Sequence, residues 1–242
     1  MAFPIVESSV SSDTGTVDGS SHTVSLPSGI VSGDLLVAMF STDSVFPGGV
    51  TVTWPAGWTE FAAQDANDNL EQLHVAYRLA DGTEGASITV TTSSNQMSCA
   101  VVYRISGALV PATQPPEAAS ISGTSTNPDP PNLTPTGGAK DYLWIAVAGT
   151  DNSASVNAFE GYPASYASNQ HTDFNNSTGG ATIAAATQNL NAASENPGTF
   201  TQGSEQWAAM TIAIHPVAAI TTEYVSPVAL AAIGGMTGRV YF

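Results

Sequence analysis

Gly33-Asp-Leu-Leu-Val-Ala-Met39, Pro55-Ala-Gly-Trp-Thr-Glu-Phe61, Leu73-His-Val-Ala-Tyr-Arg-Leu79, Ser87-Ile-Thr-Val-Thr91 and Cys99-Ala-Val-Val-Tyr-Arg-Ile105 fill one block of the chain, Gly33 to Gly107. Leu73, Val75, Tyr77 and Leu79 fall on one face of an extended chain, with His74, Ala76 and Arg78 on the other. Ile88 and Val90 alternate with Ser87, Thr89 and Thr91. Period two, broken by turn residues, is the signature of successive β-strands. Leu35 to Phe40 is a continuous apolar run, as expected of a strand covered on both faces. No stretch has a comparable helical period.

Working outward, Phe3–Val6 and Ser21–Leu26 read as strands ahead of the block. Behind it, residues 108–140 carry seven prolines, from Pro111 to Pro135, and read as a Pro-rich crossing segment. Strands resume at Tyr142–Val147, Thr182–Ala185, Gly198–Thr201 and Trp207–Ile214. The second set echoes the first. Leu35-Leu-Val-Ala-Met-Phe-Ser-Thr-Asp43 matches Leu143-Trp-Ile-Ala-Val-Ala-Gly-Thr-Asp151 at an offset of 151 − 43 = 108. Pro55-Ala-Gly-Trp58 matches Pro163-Ala-Ser-Tyr166 at the same offset, and Thr91 and Gln96 match Thr201 and Gln206 at 110.

The expected fold is all-β: an antiparallel, jelly-roll-like β-sandwich with a weak internal duplication and an extended C-terminal arm. Half-repeats at about 33–107 and 141–215 would be joined by the segment 108–140. Each half shows about five strands, so two halves completing one sandwich over 1–216 is preferred to a tandem of two small sandwiches. Residues 217–242 form the arm.

Charge and composition narrow the function. The chain has 242 residues, with 4 Lys+Arg against 20 Asp+Glu, a formal charge of −16. Nucleic-acid affinity comes mainly from basic side chains releasing counterions, so a nucleic-acid partner is excluded. Anionic membrane surfaces are disfavoured for the same reason. No apolar run reaches the ~20 residues that span a bilayer, and no secretory signal is read at the start. The single cysteine, Cys99, lies within an apolar strand and reads as a buried hydrophobe.

No catalytic motif is present: there is no Gly-x-Ser-x-Gly, no His-Glu-x-x-His, no phosphate loop and no Cys/His metal spacing. No cofactor is expected. His171-Thr-Asp173 is the nearest approach to a catalytic pair, and such neighbours are common in polar segments. Asp65-Ala-Asn-Asp-Asn69 gathers oxygen ligands without the spacing of a calcium loop, and reads as a turn. Trp54, Trp58, Trp144 and Trp207 read as core, or else as sugar-stacking platforms. Arg78 and Arg104 occupy equivalent places in two Tyr-Arg strands and are expected to pair with carboxylates.

The arm is the part left without a core role. It is apolar, with one acid, Glu223, and one base, Arg239, and Pro227, Gly234, Gly235 and Gly238 argue against a long helix. Exposed apolar segments of this length dock on something: another subunit or partner is the preferred reading, and folding back onto its own sandwich the alternative. The residues expected to bind a partner are Tyr224, Val225, Val228, Leu230, Ile233, Val240, Tyr241 and Phe242.

The block Gly33-Asp-Leu-Leu-Val-Ala, Pro-Ala-Gly-Trp-Thr, Tyr77-Arg78, Ser-Ile-Thr-Val-Thr and Ala-Val-Val-Tyr-Arg-Ile resembles a β-sandwich module that recurs in tailed-bacteriophage structural proteins and some bacterial surface proteins. The resemblance covers roughly Val24 to Ile214. It implies a non-enzymatic virion protein that decorates or cements the capsid, with capsid or other virion proteins as partners. It further implies a homo-oligomer, a trimer among the options, and a location on the virion after release by lysis. The alternative it implies is a tail-located adhesin, or carbohydrate-binding module, that contacts host glycans.

Overall fold

A computed structural model describes residues 2–13, 18–44, 48–66, 70–151, 159–176 and 179–218. Among these there is no helix, and every strand pairing is antiparallel. The first half contains β1 (Ile5–Asp13), β2 (Gly19–Ser25), β3 (Leu35–Asp43), β4 (Val52–Thr53), β5 (Thr59–Asp65), β6 (Glu71–Leu79), β7 (Ser87–Gln96) and β8 (Ser98–Ser106). The second contains β9 (Glu117–Ser125), β10 (Lys140–Asp151), β11 (Ala167–Asn176), β12 (Gly179–Ala192) and β13 (Glu205–Ile214).

In the first half β1 pairs with β8, β2 with β7 and β3 with β6. That nesting is a long hairpin rolled up on itself, the jelly-roll plan. It yields a five-stranded sheet, β1-β8-β3-β6-β5, and a three-stranded sheet, β2-β7-β4. The second half repeats the plan in a five-stranded sheet, β9-β13-β10-β12-β11. Its three-stranded layer is reduced to extended segments. The Phe200 and Gln202 amides donate to the carbonyls of Pro128 and Thr126, Leu133 bridges Glu195, and Gly161 bridges Thr201. The Gly161–Thr201 bridge is the counterpart of the Thr53–Thr91 pair of β4 and β7.

Two expectations change here. The first half begins at β1, ahead of Gly33, and the Pro-rich segment is no plain crossing. It contains β9, and then residues 126–133 cover the second sheet. Proline cannot donate to a ladder but its carbonyl still accepts. Pro128 accepts from the Phe200 amide at 2.8 Å and Pro131 from the Thr211 hydroxyl at 2.6 Å. The second half thus follows the strand plan of the first, with extended segments in place of its three-stranded sheet.

The two rolls pack through their five-stranded sheets. Odd-numbered residues of β3 and β10 (Leu35, Val37, Met39 and Leu143, Ile145, Val147) face each other in one shared core. Even-numbered residues face outward into separate cores. Leu36, Ala38 and Phe40 meet Val24, Trp58 and Val90 under the three-stranded sheet. Tyr142, Trp144 and Ala146 meet Leu133, Phe159 and Phe200 under the covering segments. This double covering explains why β3 and β10 are apolar on both faces. The chain is therefore four layers deep, with the inter-roll core at its centre.

Candidate functional site

The antiparallel strands bring carboxyl groups to both ends of the stack, with Glu7, Asp34, Asp81, Glu84, Glu117 and Asp141 at one, and basic side chains to that end alone among the described residues. The opposite, acidic end carries the finish of β1, β3, β5 and β10 and the start of β6, β8 and β13. Asp13, Asp18, Asp43, Asp65, Glu71, Asp151 and Glu205 lie there. Three of the four basic residues, Arg78, Arg104 and Lys140, lie at the first end; the fourth, Arg239, is outside the described residues. Arg104 Nε donates to Asp34 Oδ2 at 2.6 Å, and Arg78 binds Asp81 and Glu84 at 2.9 and 3.1 Å. The carboxylate pairing expected of both arginines is thus in place.

At the acidic end the inter-roll core finishes in carboxyl groups. The inward alternation that runs Leu35, Val37, Met39 reaches Ser41 and Asp43, and on β10 it reaches Gly149 and Asp151. Glu71 stands opposite Asp43 in the β3–β6 register and is fully buried. The Ser41 hydroxyl lies in hydrogen-bonding contact with Glu71 Oε1 and within 2.9 Å of the Thr182 carbonyl. Glu71 Oε2 is buried and has no hydrogen-bond partner among the described residues. Gly149 leaves the space this cluster occupies, because a Cβ there would collide with Ser41 and press on Glu71. Burial, with the charges of Asp151 and Asp43, holds the Glu71 carboxyl well above the usual range. Burial pushes Asp43 up to about 6, and burial together with Asp43 and Glu205 pushes Asp151 up to about 7. All three carboxyls are thereby biased toward their protonated forms. Enclosed between the rolls, Glu71 is out of reach of a substrate.

The opposite end is where the chain leaves the fold. Ala108 bridges Pro216, the Leu109 amide donates to the His215 carbonyl, and the Val217 amide donates to the Gly107 carbonyl at 3.2 Å. Five of the six large apolar side chains exposed among the described residues gather at this end: Ile5, Val31, Leu79, Val110 and Val217. Val110 and Val217 are 43% and 42% exposed at the exit itself, and Ile5, 54% exposed, lies beside it. His215 is buried there. Its Nε2 lies 2.8 Å from Glu117 Oε1, and its ring packs edge-on against Tyr142.

The eight residues expected to bind a partner, Tyr224, Val225, Val228, Leu230, Ile233, Val240, Tyr241 and Phe242, lie outside the described residues. So do residues 67–69 of the Asp/Asn turn and the side chains of His171 and Asp173. Asp65 accepts a hydrogen bond from Gln72 Nε2 at 2.7 Å. No group of three or more metal-ligating side chains is found among the described residues. Of the tryptophans, Trp58, Trp144 and Trp207 are buried. Trp54 is half-buried, stacked on Trp58 at 5.9 Å, with its indole N–H donating to Glu60. Sequence reasoning missed Glu71, whose polar neighbours in sequence make it read as a strand-end solvent residue.

No family model, curated protein or solved structure matches this chain.

Proposed function

We propose that the protein is a non-enzymatic structural component of a tailed-phage virion that decorates or cements the capsid through its C-terminal arm. The polarity of the stack carries this reading. The arm leaves from the end where exposed apolar side chains collect, and the acidic end lies a full strand length away. An attachment module needs one adhesive end and one soluble end. A net charge of −16 keeps such modules apart in solution until the arm finds its seat. The two rolls share one core, so they act as a stiff spacer between the ends. The resemblance of the Gly33–Gly107 block to phage sandwich modules points the same way, and the partners are capsid proteins or further copies of this chain.

The test is removal of residues 219–242. Val217 makes the last described backbone contact, so the cut leaves every described element whole. The truncated chain should keep its far-ultraviolet dichroism and lose both self-association in sedimentation velocity and binding to virions of a phage that encodes it. Retention of both activities by the truncated chain sinks the proposal. Glycan contact is the second reading, favoured by the half-exposed Trp54 beside Glu60. A tryptophan fluorescence change with host polysaccharide, lost in Trp54→Ala, would replace the first reading with this one.

A further inference from the structure

The duplication makes the two sides of the inter-roll seam directly comparable. The five-stranded sheets stack with β5 over β9 on one side and β1 over β11 on the other. On the β5/β9 side the seam is shut. Phe61 and Tyr77 pack ring to ring at 5.7 Å and close over Ala118 and the shared core. Ser120 donates to Gln64 Oε1 at 2.8 Å across the same seam.

On the β1/β11 side the equivalent aromatic is missing. Tyr77 pairs with Val37, and Thr187 pairs with Ile145, the duplicate of Val37. Tyr77 also faces Thr59, and Thr187 faces Ala167, the duplicate of Thr59. Thr187 therefore stands where the first roll has a tyrosine. A groove of about 400 Å³ opens there, lined by Ile5, Val6, Leu143, Ala167, Thr187 and Asn189. Apolar Val6 and Leu143 and polar Thr187 and Asn189 line it together, which suits a ring bearing a hydroxyl.

The same groove lies at the exit of the arm. Leu143 pairs with Ile214, three residues before Val217. Ile5 pairs with Ser106, the neighbour of the Gly107 whose carbonyl holds the Val217 amide. Tyr224 is the first aromatic of the arm, seven residues past Val217. At roughly 3.3 Å per extended residue it reaches about 23 Å, ample for a groove beside the exit. A tethered ring also has a high effective concentration at a nearby seat.

We propose that the groove between β1 and β11 is the seat of the chain's own C-terminal segment, with Tyr224 supplying the ring that Tyr77 supplies on the opposite seam. Residues 219–226 would then root the arm on the body, leaving Val228 to Phe242 beyond Pro227 to grasp a partner. This root stands whether or not the partner is a capsid, so its failure and that of the functional proposal are separable.

The full-length chain carrying a photo-reactive phenylalanine analogue at position 224, mixed as light and heavy isotope forms, is the direct test. Irradiation should join position 224 to peptides containing 165–167 or 187–189 within a single isotope form. Mixed-isotope products would show a neighbour's arm in the groove and overturn the assignment, as would cross-links elsewhere. A second measurement uses Thr187→Tyr, which fills the groove as the first roll does. Chymotryptic cleavage after Tyr224 should speed up at least tenfold relative to the unaltered chain, and an unchanged rate overturns the proposal.

Discussion

Ser165 is the sole non-glycine described in the left-handed region, with φ of 71°. Its duplicate is Gly57, with φ of 86°, in the Pro55-Ala-Gly-Trp turn. The two turns are otherwise alike: the Trp58 amide donates to the Pro55 carbonyl and the Tyr166 amide to Pro163, both at 3.2 Å. Trp58 and Tyr166 then plug the two outer cores. A side chain in this region costs about 1–2 kcal/mol, since Cβ crowds the following carbonyl. Ser165→Gly relieves that strain, offset in part by the greater freedom of glycine in the unfolded chain. We expect it to raise stability by roughly 0.5–1 kcal/mol, and Gly57→Ser to lower it by about 1 kcal/mol or more. Urea unfolding midpoints decide both, and opposite signs in the pair are the outcome to look for. Residue pairs of this kind were legible in the sequence, because Pro-Ala-Gly-Trp and Pro-Ala-Ser-Tyr sit 108 residues apart. The backbone conformation that Ser165 must share with Gly57 was not.

At the scale of elements, the ends of β3, β6 and β10 make stability depend on pH. The carboxyls of Asp43, Glu71 and Asp151 all have folded values raised above their unfolded ones. Groups raised in this way add stability that is complete below about pH 4 and is lost as pH climbs through the folded values, about 6 for Asp43 and about 7 for Asp151. His22 works in the opposite window. It bridges Thr92 and Ser98 at 2.8 and 3.0 Å, and burial lowers it to about 4. Its contribution is complete above about 6.5 and fades as pH falls toward 4. Glu71→Gln keeps an acceptor for Ser41 and removes one titrating group. We expect this variant to lose less stability than the unaltered chain between pH 5 and pH 8, measured by urea midpoints. Equal losses in both would mean that Glu71 holds its proton no more tightly in the folded chain than in the unfolded one. The same elements show where sequence reading falls short. β1, β9 and β11 are edge strands, rich in Ser, Ala and Asn, and the sequence marks only the start of β1. An edge strand is paired on one side only and needs little apolar surface, so its pattern is faint.

At the scale of the whole molecule, the inter-roll core governs whether either roll can exist alone. Leu35, Val37, Met39, Leu73, Val75, Val101, Tyr103 and Ile105 face the partner sheet and are each 1% exposed or less. A fragment ending at Gly107 would bare all of them, a patch far larger than soluble monomers tolerate. We expect residues 1–107 alone to aggregate or self-associate on gel filtration, and co-expression with 108–242 to restore a soluble complex. A monomeric, folded 1–107 fragment would contradict the dependence of each roll on the other. The sequence by itself determined the all-β class, the duplication, the burial of β3 and β10 on both faces, and the want of basic surface for nucleic acid. Those properties follow from period, composition and repeat spacing, which are local. Only the tertiary structure decided that the second half repeats the roll plan with a reduced outer layer and that the two halves meet sheet to sheet. It alone gathered Asp43, Glu71 and Asp151 into one enclosure, and left Thr187 where its duplicate is Tyr77. Those outcomes depend on which faces meet across more than 100 residues of chain, and alternation along one strand carries no record of its partner.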